Sequence, residues 1–289
     1  MARIGIQLMM LKEHVAEEGI LPVLQRVKDT GFDVVEVSQI PMTEENVAGM
    51  VTARQDLGIE YAAISAKTSA PADSEELTLE KDFDLHVEHA RRLGTDLIRI
   101  GMMPMSAMAS QEAFDAFALE ADGYARRMAE ASLQLSYHNH HIEFAKLGGV
   151  TLLDQLREKA PNLRYEIDCH WVQRGGKDPE RTLAEFDGIL DLVHLKDYRI
   201  VMPPAEVLDA AAGGDRSAFG EYWGGGIVQF AEVGEGTLEW KRVIDQGIAS
   251  GARYLLIEQD QTYGRDIFES LAMSRQHLVT LGFEPLITG

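Results

Sequence analysis

The stretch ARRLGTDLIRIG, residues 90–101, carries the unit from which the chain is built. A helical pattern runs to Leu93 and stops at Gly94, a residue able to take the positive φ that a helix C-terminus needs. Two residues turn the chain, and the apolar run Leu97–Met102 reads as a buried strand. The same phrase returns upstream as DTGFDVVEV (29–37) and downstream as ASGARYLLIE (249–258). Outward from these three, strand candidates alternate with amphipathic stretches along the whole chain. The strands are Arg3–Met9, Val34–Ser38, Glu60–Ala66, Leu97–Met102, Gln134–His140, Leu163–Cys169, Leu190–Lys196 and Tyr254–Asp260. The helices are Ile20–Thr30, Glu44–Leu57, Leu79–Leu93, Gln111–Ser132, Val150–Lys159, Pro179–Asp187, Leu238–Ser250 and Asp266–Leu281. Gly31, Gly58, Gly251 and Gly282 supply further stops.

Eight β-then-α units in 289 residues predict one α/β domain over 1–289, a (β/α)8 TIM barrel. The alternative is a doubly wound open sheet, but no Gly-x-Gly-x-x-Gly follows the first strand where its dinucleotide-binding version needs one. One stretch breaks the rhythm. Residues 201–233, between the seventh strand and its helix, are too long for an ordinary connection. They hold AAAGGD and WGGG with Phe219, Tyr222 and Trp223. A loop after a barrel strand lies on the catalytic face, so this insertion is expected as a lid over the pocket or a subunit contact.

Composition narrows the partners. Lys and Arg total 27 against 47 Asp and Glu, a net charge of −20. So acidic a surface repels nucleic-acid backbones and anionic membranes, and no apolar run approaches the roughly 18 residues of a membrane span. MARIGIQLMM reads as a strand and not as a signal peptide. The single cysteine, Cys169, forbids an intrachain disulfide and a Cys-based zinc knuckle, so a reducing cytoplasm is the expected compartment.

A barrel builds its site at the carboxyl ends of its strands. Here those ends supply Glu36, His138, His140, Glu143, Asp168, His170, His194, Lys196 and Glu258. Side chains two apart on a strand share a face, so His138 with His140, Asp168 with His170, and His194 with Lys196 can point together into the mouth. Convergent carboxylates and imidazoles suit one divalent ion. Manganese leads, with zinc, cobalt, iron or magnesium as alternatives.

The phrases YHNHHIEF (137–144), IDCHWVQRGGKDP (167–179), LVHLKDY (192–198), VGEGTLEW (233–240) and LIEQD (256–260) make the chain similar to the sugar phosphate isomerase/epimerase family, with its xylose isomerase-like barrel. The resemblance covers essentially the whole chain. It implies Glu143, Asp168, His194 and Glu258 as metal ligands, and His140, Glu258 and Glu143 as the catalytic groups, His140 being the acid/base. Strict alignment of strand ends would instead bring His138 or His140 nearest the ion. His138, His170, Lys196, Glu36 and Trp223 are expected at the substrate.

The implied chemistry is proton abstraction next to the carbonyl of a sugar, keto-sugar or cyclitol. Where such epimerases use two opposed glutamates, this chain has histidine at one position. That leaves room for a lyase on the same scaffold, an inosose-type or dehydroshikimate-type dehydratase or the catalytic subunit of a C-glycoside deglycosylase. A non-catalytic sugar-binding protein is the rival of another class. A three-zinc base-excision endonuclease would want more histidines and a basic groove. A neutral substrate fits the acidic chain better than a phosphorylated one. A homo-oligomer or a hetero-complex is compatible with all of this.

Overall fold

All eight expected strands form in the computed structural model, which describes residues 2–71 and 73–288. They are β1 (Arg3–Gln7), β2 (Val34–Val37), β3 (Glu60–Ala66), β4 (Leu97–Ile100), β5 (Gln134–His138), β6 (Arg164–Asp168), β7 (Leu190–Leu195) and β8 (Tyr254–Ile257). They pair in chain order, all parallel, and β8 closes on β1 with Arg3 opposite Tyr254 and Ile6 opposite Ile257. The barrel is complete. Gly5 permits the close approach of β1 to β2, since a Cβ there would collide with the Val34 carbonyl.

The eight expected helices also form. Thr43, Thr78, Ser110, Thr151, Asp178 and Asp266 start six of them by accepting a backbone N–H in the first turn. Gly94 ends the helix Leu79–Leu93 at φ 74°.

Alternation along the strands sorts the interior into layers. Ile4, Ile6, Val35, Val37, Ile98, Ile100, Val193 and Leu195 belong to the main apolar core that the helices cover. The opposite faces fill the barrel. Its lower half is a separate small cluster of Val34, Ala62, Ala63, Leu97, Leu192 and Leu256. One step further along the same faces stand Glu36, Arg99, His194 and Glu258, all buried. An apolar floor therefore lies beneath a charged layer.

Several strands stop earlier than their hydrophobic runs. β6 ends at Asp168 because its Oδ1 accepts the Trp171 N–H at 2.9 Å and caps a helix, Cys169–Arg174, absent from the sequence reading. Cys169 is buried in that first turn. β5 ends at His138, so His140 lies beyond the strand, where alternation no longer fixes its direction.

The long connection after β7 begins with a ribbon. Asp197–Ile200 pairs antiparallel with Val228–Ala231, and between them lie the short helices Ala205–Ala212 and Ser217–Glu221. Asp197 rivets its base. The buried carboxylate accepts N–H groups from Tyr198, Gly234, Gly236, Thr237 and Leu238 and the indole N–H of Trp240 at 2.6–3.3 Å. Gly236 is required there, because a Cβ would collide with that carboxylate. No described helix is long and apolar enough to cross a membrane.

Candidate metal centre

Four buried side chains converge at the carboxyl ends of β5 to β8: His138, Asp168, His194 and Glu258, with one donor atom of each within 4.8 Å of the others. His138 Nδ1 lies 3.2 Å from the Gly101 carbonyl, which can only accept, so that nitrogen carries the proton and Nε2 keeps its lone pair. His194 Nε2 lies 2.9 Å from Glu36 and 3.0 Å from Glu166 and donates to them. The two remaining nitrogens, His138 Nε2 and His194 Nδ1, face each other at 3.2 Å. Asp168 Oδ2 is 3.6 Å from the first and 3.7 Å from the second, and Glu258 Oε2 is 2.8 Å from His194 Nδ1. Such separations are the edges expected between ligands around one ion with bonds of about 2.0–2.2 Å. Asp168 Oδ2 is buried with no hydrogen-bond partner among the described residues. The donor set fits a divalent cation.

The electrostatics show the same demand for positive charge. Burial alone would push the Asp168 and Glu258 carboxyls up, but Lys196 and the neighbouring histidines hold both well below the usual range. His194 moves the other way: burial would lower it, yet Glu166, Glu258 and Glu36 raise it well above 6.5. His138 is lowered, chiefly by burial.

A second layer lies just beneath. The Arg99 guanidinium sits 2.5 Å from Glu36 and 3.1 Å from Glu166. Burial opposes ionisation of Glu36, but Arg99 and His194 outweigh it and bring the carboxyl down to about 2. Glu166 is pushed up to about 8 by burial, with Glu36 adding repulsion. Sequence reasoning did not single out Glu166 or the Arg99 contact. The signal was present, since Glu166 is two before Asp168 on β6 and Arg99 is two after Leu97 on β4.

Glu143, expected as the strand-five ligand, stands apart from this group. Its oxygens accept the Tyr137 hydroxyl at 2.6 Å and the His140 N–H at 2.7 Å. Tyr137 belongs to the outward face of β5 and packs on Phe117 of the helix Gln111–Glu130. Glu143 is thereby held on the helix side of β5, and His138 occupies the place it was expected to fill. Glu36, expected at the substrate, is instead fully buried between Arg99 and His194.

Lys196 lies above the four-residue group. Its ammonium is 2.8 Å from Asp260, 3.3 Å from Glu258 and 3.9 Å from Asp168. These carboxylates raise its pKa against the opposing effect of burial. The same ammonium lies over the rings of Trp171 and Phe230, at 4.8 and 5.2 Å from their centroids. Trp171 is the hub of an aromatic cluster, its centroid 5.7 Å from His140, 4.6 Å from His170 and 6.2 Å from Phe230. Burial pulls His140 down to about 3 and His170 to about 4, so both imidazoles are neutral. Trp223 is 61% exposed and stacks on Phe219 at the tip of the insertion, away from this cluster. The aromatic that the insertion does bring here, Phe230, comes from the returning strand of its ribbon.

Residues 24–277 match the family described as the xylose isomerase-like TIM barrel, and the chain belongs to that family. Among solved structures it is similar to a sugar phosphate isomerase/epimerase from Parabacteroides distasonis ATCC 8503, with TM-score 0.71 and 15% identity over 99% of this chain and 96% of that one. It is similar to the probable 3-DHS dehydratase of petrobactin synthesis from Bacillus anthracis, with TM-score 0.67 and 16% identity over 97% and 99%. A third is a xylose isomerase-like TIM barrel protein from Mycobacterium smegmatis in complex with magnesium, with TM-score 0.63 and 14% identity over 99% and 98%. None of the curated proteins matches the chain.

Proposed function

We propose that this protein is a divalent-metal-dependent enzyme that removes a proton next to the carbonyl of a sugar, keto-sugar or cyclitol. The observation that carries the reading is the pair of histidines whose outer nitrogens are committed elsewhere, so that two inner ring nitrogens and two carboxylates converge on one space. His138, Asp168, His194 and Glu258 would hold the ion, manganese first among the candidates. A bound divalent ion would act as a Lewis acid toward the substrate's carbonyl and hydroxyl oxygens. The chain's own groups do the rest. Lys196 donates to a substrate oxygen, and its carbon stem with Trp171 keeps water from the reacting face. His140 is the proton carrier: its Nδ1 has no partner among the described residues, and its ring stands 4.8 Å from that of His138.

A lyase reading on the same scaffold gains support from Glu143. Both of its oxygens are engaged by Tyr137 and His140, so it is not free to act as the second of two opposed glutamates in a two-base epimerisation. One base with a neighbouring acid serves an isomerisation or the loss of a β-hydroxyl equally well.

Metal analysis of protein purified without chelator, beside the Asp168→Ala/His194→Ala double variant, tests the proposal. About one equivalent of ion is expected in the wild type and none in the variant. Keto-sugars, inososes and C-glycosides should then be screened for solvent deuterium incorporation. Folded wild type that takes up no manganese, cobalt or zinc would leave the mouth as a binding site without this chemistry.

A further inference from the structure

The two oxygens of Glu258 have different neighbours. Oε2 lies 2.8 Å from His194 Nδ1 and 3.3 Å from the Lys196 ammonium. Oε1 instead accepts an N–H from the side-chain amide of Gln7 at 3.2 Å. Gln7 is the last residue of β1 and is buried. Ile6 pairs with Ile257 of β8, and Gln7 pairs with Glu36 of β2. Alternation turns Ile4 and Ile6 toward the helices, so it turns Gln7 into the barrel, between Glu258 and Glu36.

An amide can be placed either way round, but here the backbone decides. Gln7 Oε1 accepts the Met9 N–H at 2.5 Å and caps the turn Leu8–Leu11. A backbone N–H can only donate, so the amide oxygen belongs to Met9 and the amide nitrogen to Glu258. Asp168 is treated alike: its Oδ1 accepts the Trp171 N–H, while Oδ2 has no partner among the described residues. Each carboxylate of the group thus has one oxygen held by an N–H donor. A carboxylate can grip a cation through one oxygen or both, and the hydrogen bonds behind a ligand fix how it is presented.

We propose that Gln7 is a positioning residue of the metal centre, holding Glu258 to a single donor oxygen. Four side chains then give one donor atom each, which leaves part of an octahedral ion's shell open to substrate oxygens. The proposal rests on the metal-dependent reading above. It deepens that reading by naming the residue that keeps Glu258 from closing over the ion.

The test is a manganese titration of the full chain followed by water-proton relaxation, which scales with the waters kept by each bound ion. Four donor atoms leave about two water places on octahedral manganese in the wild type. Gln7→Leu removes the donor, and the amide of Gln7→Asn falls a carbon short of Glu258. Both variants free Oε1 to join Oε2 on the ion, so relaxation per bound manganese should fall about twofold in each. Gln7→Lys keeps a donor for Oε1 but cannot cap Met9, and it should retain the wild-type value. A merely structural role would change how much manganese binds or how stably the chain folds, and not the relaxation per bound ion. Wild-type relaxation per bound ion in Gln7→Leu or Gln7→Asn, or an equal loss in Gln7→Lys, would overturn the positioning role and leave the metal centre standing. A wild type that binds no manganese would overturn the positioning role together with the manganese centre it serves.

Discussion

His194 is engaged at both ring nitrogens, and the two ends have different tasks. Nδ1 faces Asp168 and Glu258, while Nε2 is gripped by Glu36 and Glu166. A carboxylate behind a ligating imidazole fixes the tautomer and raises its basicity, and losing such a partner typically weakens metal binding about 10–100-fold. Glu36, held ionised with its carboxyl at about 2, is that carboxylate, and Glu36→Gln is expected to weaken the ion in that range, measured by competition with a chromogenic chelator. Unchanged affinity would mean that His194 is not prepared for an ion. At this scale the strand ends were legible in the sequence: Asp168 closes β6, His194 stands one before the end of β7 and Glu258 one after that of β8, and the three converge with His138. Glu143 was implied by the family resemblance, whereas strand-end alternation pointed to His138 or His140; Glu143 lies past the strand end, where Tyr137 draws its carboxylate outward. Glu166 drew no expectation because it sits two residues before the end of β6, and Arg99, a candidate cation for a substrate carboxylate, is instead committed to Glu36 and Glu166.

The helix Leu79–Leu93 shows what burial does to a titratable group outside the site. His86 is 2% exposed and neither ring nitrogen has a partner among the described residues. Burial first, and then His89, lowers its pKa from 6.5 to about 4, with Asp82 opposing. The unfolded chain therefore binds a proton at this residue between pH 6.5 and 4 that the folded chain refuses. Stability is present above pH 6.5 and drains away as the pH falls through that window. Between pH 7 and 5 the wild type should lose about 2 kcal/mol more than His86→Leu, read from urea denaturation at the two pH values. Parallel losses in both proteins would remove His86 as the cause. Most elements were legible because caps and glycines mark their ends. The helix Cys169–Arg174 was not, because its cap, Asp168, reads equally well as the end of a strand.

At the scale of the whole molecule, the eight alternating units made the barrel legible, and Gly31, Gly58, Gly94 and Gly251 each mark where a helix hands over to a strand. The ribbon inside the insertion escaped notice, as four-residue strands among Ala and Gly carry little periodicity. Ile200 pairs with Val228, so 201–227 can be replaced by a two-residue turn while the ribbon, Phe230 and the Asp197 rivet stay. If the tip acts as a lid, the trimmed protein should keep the ion stoichiometry of the parent and release the ion to a chelator several-fold faster. An unchanged release rate would deny the tip that role.

The apolar plug of Val34, Ala62, Ala63, Leu97, Leu192 and Leu256 makes the charged chamber above it a cul-de-sac. Neither hydrated ions nor protons have a back entrance through such packing. Whatever arrives at His194 must leave by the door it came in. Turnover of ion, ligand and solvent proton would then share a single queue, ordered by how often that door stands open.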